Sequence, residues 1–351
     1  MDFLPRSLGT RPRLACEVRV EGVVAARAED ALAVLSAVAR VPLADQIVLP
    51  RPQGENGPAS TAGVGGNAEG RAAIVAALRK ALEAVAQRSR EVTLIVPDAA
   101  VRVLLLEFDE LPAKPAEALP IVRFRLKKLL PFDADDAAVS YQVIATAKDS
   151  VHVLAVAMPR ELLADYESVV REAGFEPGAI LPSTLAALAG LPEQETPALV
   201  VNAGREGVTT AIVKAGVLLL HRTVDLGADL RADADAAIKT TSLAQEIVRE
   251  VAHEIIAERS LTETASEVAQ AVSVAAAYFE DTLQTPPSAI HSAGTLGAAT
   301  LSALLGEAHV GPLAVHEILH SQMLGPGATL AGSPGGVPLS WLAGVRGALA
   351  N

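Results

Sequence analysis

The residues His316-Glu317-Ile318-Leu319-His320 carry the spacing of a zinc protease. On a helix this step puts both imidazoles on one face, with the glutamate as general base. A catalytic zinc also needs a third protein ligand. No Asp, Glu or His follows His320, so neither downstream zincin pattern can be completed. The run 313–318 also reads as a strand rather than a helix. The string is therefore read as a chance match, and no metal site is expected. His152, His221, His253, His291 and His309 are scattered without metal-ligand spacing.

Other chemistry is sparse. There is no Walker motif, no GxSxG elbow and no CxxC pair. Gly63, Gly65 and Gly66 miss the GxGxxG pattern, because Ala68 stands in the third glycine's place. Three glycine turns follow strand-like runs: Asn202-Ala203-Gly204, Gly227-Ala228-Asp229 and Ser292-Ala293-Gly294-Thr295. Backbone N–H groups at such turns can hold phosphates, although an ordinary strand-ending turn explains each one alone. Arg123, Arg125, Lys127 and Lys128 form a basic run. It reads either as a solvated helix face or as a docking surface for an acidic partner segment.

Elements of two lobes must position these residues. Residues 13–28 alternate into a hairpin, 28–39 read as a short helix and 50–70 as a loop. A helix is expected over 71–89 and strands over 91–97 and 101–108. The helix 115–130 holds Pro120, which should delay its regular part. Strands at 139–146 and 151–158 precede a helix at 159–173 that Gly174 ends. A short strand at 179–181 leads to a helix at 183–190, with Ser183 as N-cap. The linker 191–197 opens a second set. It has a strand at 198–202, a hairpin at 208–213 and 217–224, and helices at 241–258 and 260–283. A strand at 289–292, a helix at 300–305, a strand at 314–318 and a closing helix at 339–349 complete it.

Composition narrows the function. Half of the 351 residues are apolar but only 3% are aromatic, so the cores are built of Ala, Val and Leu. A net charge of −12 argues against nucleic-acid binding and against general adsorption to an anionic membrane. Cys16 is the sole cysteine, which excludes an internal disulfide and fits a reducing compartment. No apolar leader region is visible in residues 1–13. The longest apolar run, 92–108, is broken by Asp98, Arg102 and Glu107 and falls short of the roughly 18 residues a span needs.

Residues 92–185 resemble the PilM family of type IV pilus assembly proteins, actin-like proteins related in fold to FtsA. The matching runs are VTLIVPDAAVRVLLLEFDELP, IVRFRLKKLLPFDADDAAVSYQVI, VHVLAVAMPRELLADYESVVREAGFEP and ILPSTL. The second lobe is similar through ALVVNAGREGVTTAIVKAGVLLLHRTVDLG, SVAAAYFEDTLQTPPSAIHSAGT and LAGVRGAL. The resemblance implies an α/β, actin-like (ribonuclease H-like) two-lobed fold with an inserted α+β subdomain. Its divisions would be a first-lobe core at 1–90, the insert at 91–178, a return segment at 179–195, a second lobe at 196–335 and a closing helix at 336–351.

The same resemblance implies a nucleotide site, which this sequence erodes. Glu17-Val18-Arg19 stands where the family has Asp-Ile-Gly, and Asn202-Ala203-Gly204 replaces a second Asp-Ile-Gly. The adenosine loop's paired glycines are reduced to Ala293-Gly294. The remnants are Glu17, Arg19, Asn202, Ala203, Gly204, Gly227, Gly294 and Thr295. ATP with Mg²⁺ is the family's cofactor. Here weak or absent binding and no enzymatic activity are expected. The implied role is a cytoplasmic scaffold at the inner face of the inner membrane. It would bind the N-terminal cytoplasmic tail of a PilN-like bitopic protein, and a pilus assembly ATPase is a further partner the family suggests. The tail would lie between the first subdomain and the insert, with Arg123, Phe124, Phe132 and Tyr141 as groove positions. The alternatives are a type II secretion platform protein of the same fold, disfavoured because no membrane helix follows before Asn351, and a working actin-like ATPase.

Overall fold

Leu14–Arg19 (β1) and Gly22–Ala28 (β2) are buried along almost their whole length. Strands this apolar need cover on both faces. They form the expected hairpin at the centre of a six-stranded sheet ordered β14-β3-β2-β1-β4-β8. The other members are Leu35–Pro42 (β3), Glu91–Val96 (β4), Glu176–Pro182 (β8) and Leu324–Ala331 (β14). Helix Ala68–Val85 (α1) covers one face, seating Ile74, Leu78 and Leu82 against Val18 and Leu94. Asn67 caps it, its side chain accepting from the Gly70 N–H at 2.8 Å. The opposite face takes Ser183–Ala189 (α4) and the C-terminal Ala343–Leu349 (α7).

The computed structural model describes residues 12–29, 34–44, 47–52, 63–191, 196–226, 246–307, 313–331 and 336–350, without the side chains of 246–263 and 326–331. No described helix is long and apolar enough to cross a membrane.

A three-stranded antiparallel sheet, ordered β5-β7-β6, is inserted after β4. Its strands are Arg102–Phe108 (β5), Ala137–Ala147 (β6) and Ser150–Pro159 (β7). Alternation along β7 divides its faces. Val153, Ala155 and Ala157 pack with Val122 and Leu126 of Pro115–Leu126 (α2). Leu154 and Met158 point instead into the cores of the main body. Arg160–Glu172 (α3) then leads back to β8, ending before Gly174 at φ 90°.

The second lobe has five strands in the order β11-β10-β9-β12-β13. They are Ala198–Ala203 (β9), Gly207–Lys214 (β10), Val217–Asp225 (β11), Ala289–Ala293 (β12) and Ala314–Glu317 (β13). Val268, Val272 and Phe279 of Glu246–Leu283 (α5) seat on Leu199, Val201 and Ile212. Ala298–Glu307 (α6) packs beside them.

Several expectations need correction. The helix read over 28–39 is not found among the described residues, and residues 35–42 form β3. Its Ala- and Leu-rich run is consistent with a helix locally, but burial between β2 and β14 decides otherwise. Pro120 does not delay α2. It sits inside the helix, which already starts at Pro115, and costs one backbone bond there. The two helices at 241–258 and 260–283 are one, α5, with 241–245 outside the described residues. β14 was not foreseen, and it joins the first lobe's sheet although it falls within 196–335.

Candidate functional site

The C-terminal end of β1 points into the cleft between the lobes, where Glu17 and Arg19 meet Ser183 of α4 and Asn202 of β9. Glu17 is fully buried. Its Oε1 accepts from Ser183 Oγ at 2.6 Å and pairs with Arg19 Nη2 at 2.6 Å. The same Arg19 nitrogen donates to Ser183 Oγ at 2.7 Å and, across the cleft, to Asn202 Oδ1 at 3.2 Å. Asn202 Nδ2 lies 2.9 Å from Ser183 Oγ, 2.9 Å from Thr184 Oγ1 and 3.3 Å from Asp98 Oδ2. Asp98 also accepts from the Thr184 N–H at 3.0 Å and its hydroxyl at 2.5 Å. A carboxylate from the β4–β5 connection thus caps α4. Ser183, expected as that cap, spends its hydroxyl on Glu17.

A second bridge runs along the rim. Glu21 Oε1 accepts from Thr295 Oγ1 at 2.6 Å and from the Arg205 N–H at 2.8 Å. Gly294 sits at φ +89°, and a Cβ there would stand 2.5 Å from Asn202 Oδ1. Only glycine fits that turn. Burial raises the Glu17 carboxyl above its ordinary value, opposed by the Arg19 charge and the Ser183 hydroxyl. Burial would raise Glu21 too, but the Arg19 charge and the Thr295 and Arg205 hydrogen bonds outweigh it and hold Glu21 low.

A separate groove lies where the insert meets the first lobe. A cavity of about 340 Å³ is lined by Val139 and Ser140 of β6, Met158 of β7, Leu163 of α3 and residues 177–182 of β8. β8 ends its sheet, so its outer edge carries no strand partner among the described residues.

No family model matches the chain, and no curated protein matches it. Solved structures do. A chain of the PilM–PilN type IV pilus biogenesis complex superposes with a TM-score of 0.68 at 18% identity, covering 96% of this chain and 98% of that one. This chain has the PilM-type, actin-like fold. More distant are the ethanolamine utilization protein EutJ from Carboxydothermus hydrogenoformans and the cytoplasmic domain of EpsL from the type II secretion system of Vibrio cholerae. EutJ gives a TM-score of 0.44 at 13% identity, over 99% of this chain and 94% of its own. EpsL gives 0.39 at 14%, over 66% and 78%.

Within the PilM-type fold the nucleotide-site positions converge. Glu17, Arg19, Asn202, Ala203, Gly204, Gly294 and Thr295 all gather at the cleft, while Gly227 lies outside the described residues. Sequence reading missed Glu21, Asp98, Ser183 and Thr184. Asp98 and Ser183 follow buried strands almost directly, and a polar residue just past an apolar strand was the available signal. Among the described residues, the arrangement does not fit a nucleotide with Mg²⁺. The Arg19 guanidinium stands among the groups that would receive it. The cavity beside it measures about 60 Å³, against roughly 300 Å³ or more for small-molecule pockets.

The groove positions fare differently. Arg123 Nη1 donates to the Ala134 and Ala137 carbonyls at 2.7 and 3.0 Å, tying α2 to the start of β6. Phe132 and Tyr141 pack against the insert's own core, and Phe124 is 68% exposed. α2 covers the sheet face opposite the cavity, and none of the four lines it. The histidine string begins at the end of β13, with His316 and Glu317 on the strand and residues 318–320 beyond it, and Glu317 accepts from the Ala298 N–H at 2.7 Å and caps α6.

Proposed function

We propose that this chain is a non-catalytic cytoplasmic scaffold of a type IV pilus assembly platform at the inner membrane. It captures the short N-terminal cytoplasmic tail of a PilN-like bitopic protein. The observation that carries this reading is the 340 Å³ cavity along the edge of β8, which has no strand partner among the described residues, in a fold shared with a chain of a PilM–PilN complex. An extended peptide laid there can add main-chain hydrogen bonds to the edge and place alternate apolar side chains in the cavity. The misfit between the cleft and a nucleotide supports a role without turnover.

The test is fluorescence anisotropy with labelled tails of the inner-membrane proteins encoded beside this chain. One tail should bind. Ala179→Arg, which fills the cavity with a charged side chain, should weaken it by about tenfold or more while the circular dichroism stays unchanged. If no tail binds, or if the variant binds as well as the parent, the reading fails.

A further inference from the structure

Actin-like lobes leave a cleft between them that a ligand can bridge, and here the bridging atoms belong to the chain. Arg19 Nη2 touches Glu17 and Ser183 on one lobe and Asn202 on the other. A Cβ built on Gly204 would lie 3.6 Å from Arg19 Nη1, so the glycine turn of the second lobe packs against the guanidinium. We infer that Arg19 is the permanent occupant of the cleft, a cation supplied in cis that determines what the site holds and closes the lobes without a ligand.

Three observations converge on this. Glu17 and Asp98 are both buried, at 0% and 8% exposure, and a cluster with two carboxylates needs positive charge close by. Arg19 brings it within 2.6 Å of Glu17. Asn202 is matched to that cation. Its oxygen faces Arg19 and its amide nitrogen faces Asp98, Ser183 and Thr184, so both ends of the side chain are used. The rim bonds from Glu21 and an ion pair from Arg51 to Asp225 at 3.0 Å also cross between lobes. Closure is therefore shared among several side chains centred on Arg19.

The inference does not rest on tail capture, which is read at another surface, so either can fail alone. The test compares the parent chain with Arg19→Ala by thermal melting and amide hydrogen exchange. The variant should melt about 5 °C lower or more. Exchange at residues 198–204 and 289–295 should quicken by about tenfold or more. Low-millimolar guanidinium chloride should restore part of the variant's melting temperature in a saturable way, whereas equal sodium chloride should not. If Arg19→Ala does not fold, the double variant Glu17→Gln with Arg19→Met removes both charges together and should fold with the same faster exchange. Unchanged melting and exchange in whichever variant folds would overturn the inference. So would rescue by sodium chloride equal to that by guanidinium, or a parent chain whose melting temperature rises with Mg·ADP.

Discussion

At the scale of one residue, Asn202 shows how an altered motif is matched by its surroundings. An aspartate here would lose the donors now directed at Ser183, Thr184 and Asp98. It would also place a new carboxylate about where Nδ2 now sits, 3.3 Å from Asp98. Asn202 is only 4% exposed, so water screens little of that repulsion. Asn202→Asp should cost about 2–4 kcal/mol at neutral pH, read from urea unfolding. The added carboxyl would be pushed upward by burial and by Asp98, against the opposing pull of Arg19 at 3.2 Å. Its penalty is therefore present above the ordinary carboxyl value and shrinks as pH falls. The sequence alone flagged the missing charge at 202 and the side chain at 19. It could not reveal that the two changes answer each other, because residues 183 positions apart meet only in the fold.

At the scale of elements, legibility followed how each element is stabilised. Helices with a buried stripe, α1 and α3, and the hairpins β1–β2 and β10–β11 were readable, because their spacing alone fixes a face. β3 and β14 were not. β14 carries Gly325, Pro326 and Gly327, and pairing with β3 makes it a strand. Close contact between α4 and α7 likewise rests on absent side chains. A Cβ on Gly347 would stand 1.9 Å from the Ala186 carbonyl oxygen, whereas one on Gly306 meets nothing within 4 Å. The same substitution should thus act in opposite directions. Gly347→Ala should cost about 3 kcal/mol or more by forcing the helices apart. Gly306→Ala, within α6, should stabilise by about 0.5–1 kcal/mol. Denaturant midpoints at unchanged m-value would separate them, and equal effects would refute this account of the α4–α7 contact.

Across the whole molecule, the cleft and the groove are built on the same two stretches of chain. Val96 and Val101 line the groove, and Pro97 and Asp98 between them line the cleft. Pro182 lines the groove, and Ser183 directly after it lines the cleft. One apolar core also spans the lobes, joining Ala15 and Leu185 to Val200 and Ala211 with Val345 of α7 among them. A ligand that reshaped the cleft would therefore be felt in the groove. By linkage, it could shift tail affinity only as far as it favoured one arrangement over another. With Arg19 already filling the cleft, Mg·ATP has no second arrangement to select. Tail affinity measured with and without millimolar Mg·ATP should then agree within about twofold. A shift of about tenfold would mean about 1.4 kcal/mol of coupling between the sites, and it would return the cleft to the role of a nucleotide switch.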